Sequence, residues 1–338
     1  MGKPRRQHYI PQSYLNRFAI NGELVVFDFL QEHKFATSSQ NVAHIRDFYY
    51  TEVNDPANEN IVESYFSKIE GSAKGVIDEF VKTMQPPNKK DWNVLSEFIA
   101  GMYVRIPHFR FQHLEIAESL LKVLGKNARA NSKFSESLQM ETGKTTQLSE
   151  GFSDYNVAIH QNEYVLTMLK LIPNVTAVIN QMTPSLLISY GTSKFITSDN
   201  PVILFDPKPK PYRGSGWLTE TIEVYFPLSP LTCLVLRRKG NYEVLPADNK
   251  CVAMLNTHLI AFATQYIFSS DTVTWISKNL TLSNDETLLF KEFAEVKKNR
   301  NFIQVGGLDL SPKKVTLDRI KKSTYTELQN SKKMPSNK

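Results

Sequence analysis

The spacing of apolar residues changes twice along the chain, and this change restricts the fold more than any other feature. Up to about residue 55, short β-prone runs alternate with turn residues. From Glu59 the apolar residues fall near helical spacing, and after Thr183 short β-rich runs return. The pattern therefore predicts an α+β fold with a β-rich N-terminal unit, a helical middle, and a mixed sheet with covering helices.

The same changes predict the domain organisation. We expect a β-rich unit over residues 1–55, a helical region over 56–182 and a mixed α/β sheet region over 183–312, all within one compact domain. Residues 125–155 are polar and predict a long insertion in the helical region, and residues 313–338 predict a flexible basic tail.

Two local signals predict turns or breaks. Asn21-Gly22 lies between apolar runs and predicts a type I′ hairpin turn, with residues 14–19 as the incoming strand. Pro107 predicts that the preceding helix ends or kinks beyond Ile106.

Positive charge is concentrated at the two ends of the chain. Residues 313–338 contain eight basic and two acidic residues, a balance equal to the formal net charge of +6 for all 338 residues. Lys3, Arg5, Arg6 and Arg17 add further charge at the N-terminus, so the remaining chain is slightly acidic. A basic arm and tail favour weak, salt-sensitive attraction to nucleic acid, although basic termini are more often simply solvated.

Several features point to a cytoplasmic location. The two cysteines, Cys233 and Cys251, lack the spacing of a zinc site or of a disulfide framework. The N-terminus lacks the apolar segment of a secretory signal, and no apolar run approaches the roughly 18 residues that a membrane helix needs. We therefore predict no membrane association; the oligomeric state is left open.

Familiar catalytic motifs are absent. The "TGKT" segment at 142–145 lacks the glycine that a phosphate-binding loop requires at position 138, where the chain has Leu138. No GxGxxG, HExxH or GxSxG pattern occurs.

His8 and Gln12, in "HYIPQ", are the first candidate site residues. A neutral imidazole beside polar groups can act as an acid, a base or a metal ligand, and Gln12 can bind a substrate. The alternative is a histidine that only holds the N-terminal strand by hydrogen bonds.

Three further features carry charge at informative positions. Glu63 and Glu70 are seven residues apart, so both carboxylates share one helix face and could converge on a cation or a water; two solvated glutamates are the alternative. Arg105 ends an apolar helix and requires an anionic partner, either a carboxylate or a ligand phosphate.

Asp199 and Asn200 follow a predicted strand in "FITSDNPVILF". Functional sites cluster at strand ends, but Asx-Pro turns also form there for structural reasons.

The order of these motifs resembles a family known as domain of unknown function 4238. The similarity runs from about residue 5 to residue 270, and these segments carry it: "HYIPQSYLNRFA", "FSKIE", "RIPHFR", "FITSDNPV", "FPLSP" and "MLNTHLIAFA". The resemblance implies no particular activity. It does imply that His, Glu, Arg, Asp and Asn side chains from separate elements form a site.

Three functions are compatible with these residues. The first is a hydrolase of phosphodiesters or nucleotides, such as a nuclease, in which His8 is the acid or base and Arg105 stabilises charge on phosphate. Glu70 and Asp199 would then activate water or hold a divalent cation, Mg²⁺ or Mn²⁺. The second is a binding protein in which the same groups form a structural hydrogen-bond network. The third is a metal-independent enzyme on a nucleotide-like small molecule, bound by Asn200 and Arg105.

Overall fold

The computed structural model describes residues 6–51, 61–130, 159–209 and 215–270. It confirms the α+β prediction, since the described residues form long helices and antiparallel or mixed sheets. The strands are β1 (Arg6–His8), β2 (Leu24–Asp28), β3 (His33–Thr37), β4 (His44–Arg46), β5 (Thr183–Ser189), β6 (Thr197–Ser198), β7 (Ile203–Phe205), β8 (Glu223–Ser229), β9 (Thr232–Arg237), β10 (Val244–Ala247) and β11 (Tyr266–Ser269). The α-helices are α1 (Gln12–Leu15), α2 (Ile61–Thr83), α3 (Lys89–Val104), α4 (Pro107–Ala130), α5 (Gln161–Ile179) and α6 (Asn249–Phe262).

The chain forms two compact units that each use two separate segments. Unit 1 comprises Met1–Leu15 and Gln40–Gln181, and unit 2 comprises Asn16–Ser39 and Met182–Lys338. The segment predicted as one N-terminal unit, residues 1–55, therefore contributes to both units. The division near residue 182 coincides with the second change in apolar spacing.

Unit 1 contains the helices α1 to α5 and a short ribbon. Strands β1 and β4 pair antiparallel, and α3 packs against both α2 and α5. The buried positions of α2 include Phe66, Ala73 and Ile77, which follow helical spacing. Helix α3 ends at Val104 and α4 begins at Pro107, which confirms the predicted break. Proline suits a first helical position because it has no N–H to bond there.

Unit 2 contains two sheets. The first has the strand order β10-β5-β9-β8-β7, in which β10 and β5 are parallel and the other neighbours antiparallel. The second has the order β3-β2-β11-β6 and is antiparallel throughout. Buried residues from both sheets and from α6 form one hydrophobic cluster, which includes Phe27, Phe195, Val235, Leu259 and Ile267.

The predicted turn at Asn21-Gly22 is confirmed, but the incoming strand over residues 14–19 is wrong. Both turn residues have positive φ, 53° and 83°, and Ile20 bridges Glu23 across them. Residues 12–18 are helical instead, as α1 followed by a 3₁₀ turn at Asn16–Phe18. The buried residues Tyr14, Leu15 and Phe18 have the i, i+1, i+4 spacing of a helix, and the Pro11 carbonyl accepts the N–H groups of both Tyr14 and Leu15.

Parts of several predictions lie outside the described residues. Helix α4 occupies the beginning of the predicted insertion, up to Ala130, and residues 131–158 are not described. The first five residues and the tail at 313–338 are also outside the described ranges. None of the helices within the described ranges is long and apolar enough to cross a membrane.

Candidate functional site

A polar cavity of about 300 Å³ in unit 1 contains the largest group of predicted site residues. Its lining includes His8, Gln12, Glu63 and Glu70, and it reaches the surface, because the lining residue Ser67 is exposed. This volume lies at the lower end of the range typical of small-molecule sites. The structure therefore brings together His8, Gln12 and both predicted glutamates.

Helix α2 supplies one wall of the cavity. Glu63, Phe66, Ser67 and Glu70 all line it, at positions i, i+3, i+4 and i+7 of the helix. These positions lie on one face, which confirms the prediction that the two carboxylates share a side of the helix. Phe66 lies three positions after Glu63 and four positions before Glu70, so an apolar ring lies between the two acidic groups.

Strand β1 and helix α1 supply further lining residues of the cavity. The Gln7 side chain makes two hydrogen bonds. Its Oε1 accepts the Tyr49 N–H at 2.6 Å, and its Nε2 donates to Glu63 Oε2 at 3.4 Å. The Gln12 amide nitrogen is 3.4 Å from each ring nitrogen of His8, so this side chain lies along the imidazole. The ring of His44, from β4, meets the His8 ring edge-on with centroids 5.3 Å apart.

Arg105 lies behind Glu70 and is almost fully buried, with 2% of its side chain exposed. Its Nη1 donates to Glu70 Oε1 at 2.6 Å, and its guanidinium carbon lies 4.9 Å from the centroid of the Phe66 ring. Of the two partners that the sequence left open for Arg105, the structure provides a carboxylate. The ion pair fixes the direction of the Glu70 carboxylate, which remains 26% exposed.

The guanidinium is not fully satisfied. Its Nη2 faces the weak acceptor Met102 Sδ at 3.5 Å, and its Nε has no hydrogen-bond partner among the described residues. The backbone of Arg105 makes a further contact, in which the Tyr49 hydroxyl donates to the Arg105 carbonyl at 3.2 Å. Burial raises the pKa of Tyr49 well above its ordinary value, so this hydroxyl stays protonated as a donor.

Asp199 and Asn200 belong to unit 2 and do not line this cavity. The Asp199 carboxylate is fully buried and accepts the backbone N–H groups of Thr264, Gln265 and Tyr266 at 2.6–3.0 Å. Asn200 Nδ2 donates to the Phe262 carbonyl at 3.1 Å. Asp199 thus ties the turn after β6 to the segment that leads into β11, and Asn200 ties it to the end of α6.

The predicted cation site of Glu70 and Asp199 does not form within either unit, since each unit holds one of the two carboxylates. Glu70 is paired with Arg105, and both oxygens of Asp199 accept N–H groups. In the described part of the chain, no three His, Cys, Asp or Glu side chains lie close enough together to hold a metal ion. We therefore leave Asp199 and Asn200 out of the candidate site.

Sequence reasoning missed Gln7, His44, Tyr49 and Ser67. Gln7 and His44 belong to the site through the pairing of β1 with β4, in which His8 lies opposite His44. That pairing joins residues 36 positions apart, and no local pattern indicates it. Ser67 could have been found, because it lies four residues after Glu63 on the same predicted helix.

Comparison with protein families gives one match. The model of the family described as "Protein of unknown function (DUF4238)" matches residues 6–272, which include every residue of the cavity. No curated protein and no solved structure matches the chain significantly.

Proposed function

Because the chain belongs to the DUF4238 family, whose description gives no activity, we propose a function from the geometry of unit 1: the cavity is the active site of a hydrolase that acts on phosphodiester or nucleotide substrates. One observation carries the proposal. His8 and Glu70, a potential proton-transfer group and a carboxylate oriented by an ion pair, line the same surface cavity.

The roles follow from the contacts of each side chain. His8 takes a proton from the attacking water or gives one to the leaving oxygen, and Gln12 beside its ring binds substrate. Glu70 orients the attacking water, since it is the carboxylate with one oxygen fixed at 2.6 Å from Arg105. Arg105 is a positioning residue in this scheme, because it is buried behind Glu70.

The choice of a phosphate substrate rests on charge. The formal charge of the chain is +6, with the excess at its two ends, so the protein attracts polyanions over a distance set by ionic strength. Glu63 and Glu70 repel a phosphate on the α2 side of the cavity. A phosphate group is therefore expected on the β1 side, near His8.

A hydrolysis assay tests this function. The purified full-length protein is incubated with single-stranded RNA, single-stranded DNA and nucleotides, each with Mg²⁺, with Mn²⁺ and with a chelator. We expect cleavage of at least one substrate, and a rate at least about 100-fold lower for His8→Ala, the usual scale of losing a general acid or base. Glu70→Gln, which retains an acceptor for Arg105, should also lower the rate while the protein stays folded.

His33→Ala is the matched control, because His33 is an exposed histidine of β3 in unit 2. It should cleave at the wild-type rate. Cleavage by wild type that survives in His8→Ala would remove the site assignment, and an absence of turnover for every substrate would reject the hydrolase.

A binding protein without catalysis is the second candidate. It is favoured by one observation: Arg105, Asp199 and Asn200 are all buried and bonded within their own units. This function predicts that the assay finds no turnover, while a ligand of the cavity still binds and loses affinity in His8→Ala.

A further inference from the structure

The ribbon of β1 and β4 carries basic residues on one face. Its register places Arg6 opposite Arg46, Gln7 opposite Ile45, and His8 opposite His44. Alternate residues of a strand point to the same side, so Arg6, His8, His44 and Arg46 share one face. Gln7 points the other way, toward Tyr49 and Glu63. We call the face with the four basic residues the basic ribbon face.

Two like charges directly opposite each other destabilise a strand pair. Arg6 and Arg46 have this arrangement, at the exposed end of a ribbon with only three residue pairs. The next pair on the same face is His8 and His44, and the pKa of His44 is lowered, first by burial and then by the charge of Arg6. An anion bound between the two arginines would offset their mutual repulsion and the effect of the Arg6 charge on His44.

Asp47 is an acidic neighbour of this face. Arg46 Nε lies 3.5 Å from Asp47 Oδ2, and the two side chains are 58% and 29% exposed. Exposed ion pairs of this kind contribute little to stability, so a phosphate can compete for Arg46. Glu63 contacts Gln7, whose side chain points to the opposite face of the ribbon, but it also lines the cavity together with His8.

We propose that the basic ribbon face binds the backbone of a single-stranded nucleic acid, with one phosphate at Arg6 and Arg46 and the next at His8 and His44. The two pairs of residues are separated by two positions along an antiparallel strand, which is about 6.8 Å. This separation is comparable to that of successive phosphates in an extended strand. A mononucleotide has no second phosphate ester to occupy the second pair.

This inference deepens the proposed function and rests on it in one respect: the phosphate at His8 is the one presented to the cavity. It names the substrate class as single-stranded nucleic acid. The arginines bind and position the strand, and His8 belongs to both the ribbon face and the cavity.

Binding measurements test the proposal separately from catalysis. The full-length protein is titrated into a fluorescein-labelled deoxythymidine strand of about ten nucleotides, within the range that single-strand-binding domains cover, and the anisotropy is followed at several salt concentrations. The double variant Arg6→Gln/Arg46→Gln should bind roughly tenfold more weakly or worse. The slope of log affinity against log salt should fall in magnitude by about 0.7, because the variant loses the one phosphate contact that the two arginines share.

The control is Lys89→Gln/Lys90→Gln, which removes the same charge from two exposed residues at the start of α3. It should change affinity less than about twofold. The basic tail is present in every variant, so its contribution cancels. Equal weakening by both double variants would overturn the proposal, because net charge alone would then explain binding.

Adenosine monophosphate serves as a competitor at the same phosphate concentration as the strand. We expect it to compete poorly; competition equal to that of an unlabelled strand would overturn the two-phosphate arrangement. If the wild type cleaves nothing but the arginine variant still loses binding, the hydrolase fails and this inference stands. If cleavage requires His8 but the arginine variant binds like wild type, this inference alone fails.

Discussion

Each unit buries one charged side chain that the sequence suggested as functional, and the two are compensated differently. In unit 2, Asp199 is completely buried and accepts three backbone N–H groups, so both of its oxygens are used. In unit 1, Arg105 is 2% exposed and has one strong partner, Glu70, which itself borders a cavity. Asp199 holds a loop in place, whereas Arg105 holds a carboxylate in place.

This difference separates a carboxylate with a structural role, Asp199, from one that can take part in a reaction, Glu70. A carboxylate that is fully buried and accepts three backbone N–H groups is not accessible to a ligand unless the loop around it opens. A carboxylate that is fixed at one oxygen and open to a cavity can still bind water or substrate. Substitution of Asp199 should therefore act on stability, and substitution of Arg105 should act mainly on activity.

The largest effect on stability is expected for Asp199→Ala. The substitution leaves the N–H groups of Thr264, Gln265 and Tyr266 without their acceptor in a buried position. We expect a loss of about 3–5 kcal/mol in the free energy of unfolding, measured by urea unfolding and circular dichroism. Asp199→Asn retains one acceptor oxygen and should lose less. Wild-type stability in the alanine variant would show that the loop does not depend on this carboxylate.

His258 is a buried titratable group of unit 2 that, unlike Asp199, has an unbonded ring nitrogen among the described residues. It is 8% exposed, its Nδ1 has no partner among the described residues, and burial lowers its pKa to about 4. The unfolded histidine takes up a proton below about pH 6.5, whereas the folded one does so only near pH 4. The free energy of unfolding should therefore fall by up to about 3 kcal/mol as the pH drops from 6.5 to 4, and this contribution should level off below that.

The control for this acid dependence is His258→Phe. It keeps an aromatic ring in contact with Phe205, whose ring centroid lies 4.8 Å from that of His258 in the wild type. The variant has no proton to take up at this position. In urea titrations over the same pH range, the free energy of unfolding of the variant should therefore decrease less than that of the wild type. Parallel curves for wild type and variant would mean that His258 is not responsible.

The smallest effect on stability, about 1–2 kcal/mol, is expected for Arg105→Met. The charge that remains is Glu70, which is 26% exposed and can be solvated, so the penalty stays below that of an uncompensated buried ion. The effect on catalysis should be larger: we expect hydrolysis to fall at least about tenfold, because Glu70 loses its fixed orientation. Thermal unfolding and the hydrolysis assay measure the two quantities. A greater loss of stability than in Asp199→Ala, with hydrolysis unchanged, would reverse the comparison.

Local patterns were sufficient for much of the fold and for part of the site. Pro107 marked the start of α4, Asn21-Gly22 marked a turn with positive φ, and the seven-residue spacing of Glu63 and Glu70 placed both on one helix face. Each of these follows from φ, ψ preferences or from helical periodicity, which act over a few residues. Residues 14–19 were misjudged because a short apolar run fits both strand and helix until its buried positions are known.

The sequence by itself determined the α+β class, the helix face with two carboxylates, the need of Arg105 for an anionic partner, and the family. Only the tertiary structure decided that this partner is Glu70, that His8 faces His44 across the β1–β4 ribbon, and that Asp199 is satisfied by backbone N–H groups more than 60 residues away. The physical reason is the range of the interactions involved. Periodicity and turn preferences are properties of neighbouring residues, whereas strand register and ion pairing depend on which distant segments the hydrophobic cores bring into contact.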